Sequence, residues 1–219
     1  MDLYDVMRTT GAVRQFTDEP LPDDVLVGIL DNARFAPSGG NRQGVRVIAV
    51  RDPDTRAALG ELSLPGARRY IAQRSNGEMP WNPLQPMTVS AQQVEAAEVP
   101  AQMSSPLLTC SVALVVCVDL GVVAALDQDL GRIGLVAGAS VYPFVWNILL
   151  AARSEGFGGV LTTMAVAEEP RVKALLHIPD EYAVAAVLPL GRPRHQVSRL
   201  NRRPVSEIAT HDRFDGASL

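Results

Sequence analysis

The residues of this chain best suited to chemistry cluster at positions 36–43, Ala36-Pro37-Ser38-Gly39-Gly40-Asn41-Arg42-Gln43. Ser38, Asn41 and Gln43 carry side chains that both donate and accept hydrogen bonds. Gly39 and Gly40 let the backbone approach a flat ligand closely. Such groups read the polar edge of a heterocycle. A helix C-cap running into an ordinary polar loop is the competing account of the same residues. Two cationic stretches lie far away in the chain. Met7 to Phe16 holds Arg8, Thr9, Thr10 and Arg14, and Arg199 to Pro204 holds Arg199, Arg202 and Arg203. Arginine forks match phosphate oxygens, although either stretch alone is most often solvated surface. Together the three segments point to a phosphorylated heterocycle gripped from several sides.

The elements that must position these groups alternate between helix and strand. Leu3 to Thr10 reads as a first helix, followed by an extended stretch through Phe16. Pro22-Asp23-Asp24 opens a second helix, with acids where a helix N-terminus favours negative charge, and that helix runs into the polar turn. Val45 to Val50 is a strand, and Asp54 to Leu62 a short helix. Ser111 to Val118 is a continuous apolar run rich in valine, as in a strand buried on both faces. Gly158 to Thr162 and Tyr182 to Leu190 are further strands, with Pro170 to Leu176 helical between them. The pattern is mixed α and β around a central sheet. Pro65 to Pro106 carries six prolines and no strong core pattern; we expect a lid-like excursion there, with Ser90 to Val99 a short helix and Trp81, Met79 and Met87 its adaptable apolar cover.

Composition excludes several classes. A net charge of −4 argues against a nucleic-acid surface, and 5% aromatic content leaves few stacking platforms for single strands. Cys110 and Cys117 are seven apart in an apolar run, which in a strand puts them on opposite faces. They read as buried small hydrophobes in a reducing compartment, the cytoplasm. The three histidines, His177, His195 and His211, show no ligand spacing, so no metal site is expected. The acidic start, Met1-Asp2-Leu3-Tyr4-Asp5, is unlike a signal peptide. Ile133 to Ala152 is long and uncharged enough to span a bilayer. Gly134, Gly138, Ser140, Pro143 and Asn147 inside it favour a buried helix at a dimer core, with no membrane contact.

In order, these motifs resemble the nitroreductase family: a helix, then the 36–43 turn, then a valine-rich strand; Asn147-Ile148-Leu149-Leu150-Ala151-Ala152 followed by Glu155-Gly156-Phe157-Gly158-Gly159; and Arg202-Arg203-Pro204-Val205 near the end. The resemblance implies one α+β domain over 1–219, a mixed central sheet flanked by helices, and an intertwined homodimer with flavin sites at the interface. It implies FMN as cofactor, NADH or NADPH as hydride donor, and a nitroaromatic, quinone or related flat molecule as acceptor. Carried over to this chain, Arg14 falls beside the flavin pyrimidine, and Pro37, Ser38, Gly39, Asn41 and Gln43 on the turn around its rings and ribityl chain. Arg202 matches a phosphate ligand and Arg203 shares that place. The stretch Leu161-Thr162-Thr163-Met164 falls at flavin N5. No side-chain catalyst is implied; Arg14 and Thr163 tune the flavin. The chain departs from the family where Thr10-Gly11-Ala12-Val13-Arg14 replaces Arg-Arg-Ser-x-Arg, leaving Arg8 and Thr10 to stand in for two phosphate ligands. Gln43-Gly44-Val45 replaces Gln-Pro-Trp. That thinner phosphate site keeps a second reading open, a flavin-binding storage or sensing protein without turnover.

Overall fold

The computed structural model describes residues 1–219. Helix α1 (Leu3–Thr9) starts where the Asp2 carboxylate accepts the Tyr4 N–H at 3.2 Å. Helix α2 (Asp23–Ala33) follows Pro22, with Asp23 and Asp24 in its first turn. Strand β1 (Val45–Val50) leads to α3 (Pro53–Ser75), capped by Asp52 accepting the Thr55 N–H at 2.8 Å. Three short helices follow, α4 (Ala91–Glu95), α5 (Ala101–Ser104) and α6 (Pro106–Thr109). Then come β2 (Val112–Asp119), α7 (Tyr142–Ser154), β3 (Gly158–Gly159), α8 (Glu169–Leu176) and β4 (Tyr182–Gly191). The α+β class is as expected, and the four strands lie in the order β1-β2-β4-β3, each pair antiparallel. No helix is long and apolar enough to cross a membrane.

Strand β2 organises the interior. Val112, Leu114, Val116 and Val118 point to one face, where Leu26, Ile29 and Ala33 of α2 and Val145, Ile148 and Ala152 of α7 cover them. Ala113, Val115 and Cys117 point to the other face, under Leu59 and Leu62 of α3 and Val172 of α8. A central strand covered on both sides needs apolar side chains at every position, which is why its sequence does not alternate. Between Val116 and Cys117 the pairing with β4 slips by one residue, so Val184 joins the second face while Ala186, Leu188 and Leu190 stay on the first.

Three expectations need correction. The short helix expected at 54–62 continues through Pro65 to Ser75, so the excursion begins at Asn76 rather than at residue 65. A mid-helix proline forfeits one backbone hydrogen bond at a cost of about 3 kcal/mol. Packing offsets that cost: buried Gly66 and Ala67 seat this part of α3 on the turn at Met164–Glu168, and a Cβ on Gly66 would lie 2.5 Å from the Met164 carbonyl oxygen. The uncharged run Ile133–Ala152 is helical only from Tyr142, with Pro143 in the first turn. Upstream, the Asp127 carboxylate takes the Leu135 and Val136 N–H groups, and Val136–Ser140 forms a 3-10 turn. Cys110 and Cys117 face the same cluster, because Cys110 caps α6 outside the strand and its side chain escapes the strand's alternation.

The excursion is pinned by one carboxylate. Glu78 accepts the Thr88 and Val89 N–H groups, both at 3.1 Å, the Gln73 and Asn76 side-chain amides, and the Thr88 hydroxyl. The Thr88 hydroxyl, then the Gln73 amide, hold the Glu78 carboxyl down at about 2. Trp81, at φ 56°, donates its N–H to Gln73 at 3.1 Å and lies against the Arg69 guanidinium, 3.8 Å from its ring centroid.

Leu114→Ala should lower unfolding free energy by about 2–5 kcal/mol in urea titration, with an unchanged m-value. Glu78 has its folded pKa below the unfolded value of about 4.3. Its contribution is therefore full above about pH 5 and lost as pH falls toward 2. Melting temperatures should show Glu78→Gln less stable than the wild type at pH 7, with the gap closing near pH 2.5.

Candidate active site

Arg14 is held by an extended segment that pairs with the outgoing end of β4. The Val13 N–H donates to Gly159 (2.9 Å), Thr17 N–H to Arg192 (2.8 Å), and Arg194 N–H to Gln15 (3.0 Å). Buried Val13 and Phe16 anchor the segment. A Cβ on Gly191 would stand 2.9 Å from the Phe16 ring, so the ring lies flat on a glycine. Arg14 is left facing outward, with no hydrogen bond or ion pair inside the chain. Three adjoining cavities share it, of about 640, 160 and 670 Å³.

The smallest of these is closed by the turn beyond β3. Thr162 pairs with Val187 through hydrogen bonds of 3.0 and 2.8 Å, then the chain leaves the sheet at Thr163, with φ −120° and ψ 10°. The Thr163 N–H makes no hydrogen bond within the chain. Leu161, Thr162, Thr163 and Met164 line this cavity together with Arg14. Gln102, Met103 and Pro106 of α5 and α6 line it too, and Tyr70, Arg74 and His195 line the larger one beside it. Sequence reasoning missed all six. Their only signal was a helical continuation past Pro65 and the return of the C-terminal stretch along residues 9–17.

The polar turn is built elsewhere. After α2 it coils through a 3-10 turn at Gly39–Asn41, with positive φ at Gly40 (61°), Asn41 (54°) and Gln43 (49°). The Ser38 hydroxyl accepts the Gln43 N–H at 3.0 Å, and the Gln43 amide donates to Asn41 Oδ1 at 3.2 Å. The Gly39 N–H donates to the Ser140 hydroxyl at 3.0 Å, and Arg42 reaches the Val122 carbonyl. The turn thus rests on the 120–140 stretch, which Asp127 organises from inside, 4% exposed. The Leu135 N–H (2.7 Å) and Arg132 (2.8 Å) hold the Asp127 carboxyl at about 2. Pro37, Gly39, Asn41 and Gln43 are exposed, and Ser38 is half-buried. None of them lines a cavity with Arg14. Within one chain the two groups occupy separate surfaces.

The remaining sequence candidates are scattered. Arg8, exposed on the last turn of α1, leans over the Tyr4 ring, 5.9 Å from its centroid. Thr10 is buried, and its hydroxyl is spent on the Val6 carbonyl at 2.7 Å. Arg202 and Arg203 are exposed in the C-terminal stretch, where Arg202 bonds the Asn201 carbonyl.

The chain is 26% identical over 202 residues to NADH dehydrogenase of Thermus thermophilus, covering 90% of this chain and 89% of that protein. It is 25% identical over 209 residues to iodotyrosine deiodinase of Nematostella vectensis, covering 94% and 74%. The structure of NADPH:FMN oxidoreductase from Vibrio harveyi, complexed with NAD+, superposes with a TM-score of 0.68 at 19% identity, covering 99% of this chain and 79% of that one. The sequence profile of the Nitroreductase family matches residues 7–192, from the end of α1 to the end of β4. The protein belongs to the nitroreductase family.

Proposed function

We propose that this protein is an FMN-dependent oxidoreductase that takes hydride from NADH or NADPH and delivers reducing equivalents to a flat conjugated acceptor, a nitroaromatic or a quinone. One observation carries the reading. An unpaired guanidinium and an unpaired backbone N–H, Arg14 and Thr163, line the same small cavity between the sheet end and α5 and α6. A flavin asks for these two groups: a cation at the pyrimidine edge and a donor at the redox centre. When bound, FMN supplies the two-electron chemistry, accepting hydride from the nucleotide and reducing the acceptor in turn.

The chain's own residues supply position and charge. Arg14 would hold the pyrimidine edge and stabilise negative charge there, as a cation preorganised by the backbone pairing of residues 13–17. The Thr163 N–H, held by the Thr162–Val187 pairing and by Gly66 beneath Met164, would donate to the flavin's redox centre without reorganising. Leu161, Met103 and Met164 offer apolar surface to a ring face.

The polar turn belongs to the same reading through a second copy of the chain. None of Pro37, Ser38, Gly39, Asn41 and Gln43 lines a cavity with Arg14 in its own chain, and a homodimer would bring one protomer's turn to its partner's cavity.

Purified protein should be yellow, and its flavin absorbance should bleach on mixing with NADH or NADPH and return when a quinone is added. Yellow protein that ignores both nucleotides would favour storage or sensing. Colourless protein that gains no thermal stability from FMN would end the proposal. Arg14→Leu should keep the wild-type melting temperature of the flavin-free protein and slow bleaching by about 10²- to 10³-fold in stopped flow.

A further inference from the structure

Two guanidiniums and an imidazole line one cavity with no carboxylate to meet them. The space of about 670 Å³ is bounded by Arg14, Arg74 and His195, with Tyr70, Gln15 and Gln102 adding polar groups. The chain's six ion pairs all lie elsewhere. None of the three cationic side chains donates a hydrogen bond within the chain, although Arg51, Arg132 and Arg192 all do. Arg74 sits in the last turn of α3, where a cation also suits the helix end. That accounts for a basic residue at this position, but not for a second arginine and a histidine on the walls of the same cavity.

The local sequence explains what this charge replaces. Thr10 has turned its hydroxyl inward to Val6, and Gly11 is pressed against Val197 and Leu200. Ala12 contributes a methyl group to the cavity wall. Residues 10–12 therefore bring no cation to the end of the site nearest the C-terminal stretch, and Arg74 and His195 reach it from α3 and from the strand of chain beyond β4.

Resting on the flavoprotein reading above, we propose that Arg74 and His195, beside Arg14, form the oxyanion subsite of this cavity and hold the phosphate of FMN. The shared chemistry is that of a phosphate or a carboxylate. Charge and donor count favour the phosphate, because a phosphate ester carries about −1.5 to −2 at neutral pH and offers three acceptor oxygens to Arg74 and His195 together, whereas a carboxylate carries one charge. The carboxylate would come from an anionic acceptor.

Flavin-stripped protein titrated with FMN and with riboflavin, read by quenching of flavin fluorescence, tests this directly. Wild type should prefer FMN. Arg74→Gln and His195→Gln should each weaken FMN binding by about 10- to 100-fold and leave riboflavin binding unchanged. Arg171→Gln, on α8 and paired with Glu168, should alter neither and serves as the charge control. Melting temperatures of the flavin-free variants should equal the wild type's. If FMN binds both variants as tightly as wild type, the subsite assignment falls. If FMN binding is unchanged but KM rises for 4-nitrobenzoate and not for 4-nitrobenzamide, the subsite serves an acceptor carboxylate and the phosphate assignment falls. If wild type binds neither flavin, the failure belongs to the flavoprotein reading itself.

Discussion

The placement of Arg14 depends on a ring lying on a glycine. Phe16 covers Gly191 so closely that any side chain there would meet the ring. That contact lets residues 13–17 lie against the end of β4 and exchange hydrogen bonds with Gly159, Arg192 and Arg194. Val13 and Phe16, three apart, are both buried, and the extended chain between them leaves Arg14 and Gln15 exposed. The guanidinium is thus positioned by backbone pairing rather than by a salt bridge, and its charge remains free for a ligand.

The sheet divides the chemistry between its faces. Helices α2 and α7 cover one face, and the 36–43 turn and Ser140 belong to the connections at their ends. Helices α3 and α8 cover the other, and the walls of the Arg14 cavities grow from that side, through α3, the Met164 turn and the short helices before β2. Interiors pack too densely for a loop to cross from one face to the other. In the proposed function, a second copy of the chain therefore brings the 36–43 turn to the ligand that Arg14 holds.

The apolar and turn-forming parts of this arrangement were legible in the residues. The valines of β2 announce a strand buried on both faces, and the glycines and amides of 36–43 announce a turn, three of whose residues adopt positive φ. Local rules failed where tertiary packing overrode them. Pro65 reads as the start of an excursion beyond a helix that ends at Leu62, yet the close seat of Gly66 on Met164 carries α3 onward. The run before α7 reads as helix, but the buried Asp127 carboxylate takes its N–H groups. Cys110 reads as a strand residue and caps a helix.

The missed length of α3 and the missed cations are one error. At 1.5 Å of rise per residue, thirteen more residues lengthen a helix by about 20 Å. That extension carries Tyr70 and Arg74, four apart on one helix face, to a cavity that a helix ending at Leu62 would never reach. His195 arrives there because the chain beyond β4 must run back along residues 9–17 to satisfy their backbone groups. Gly66 is therefore where packing and chemistry join. Its missing Cβ lets the helix pass the Met164 turn, which positions the Thr163 N–H on one side and delivers Arg74 on the other.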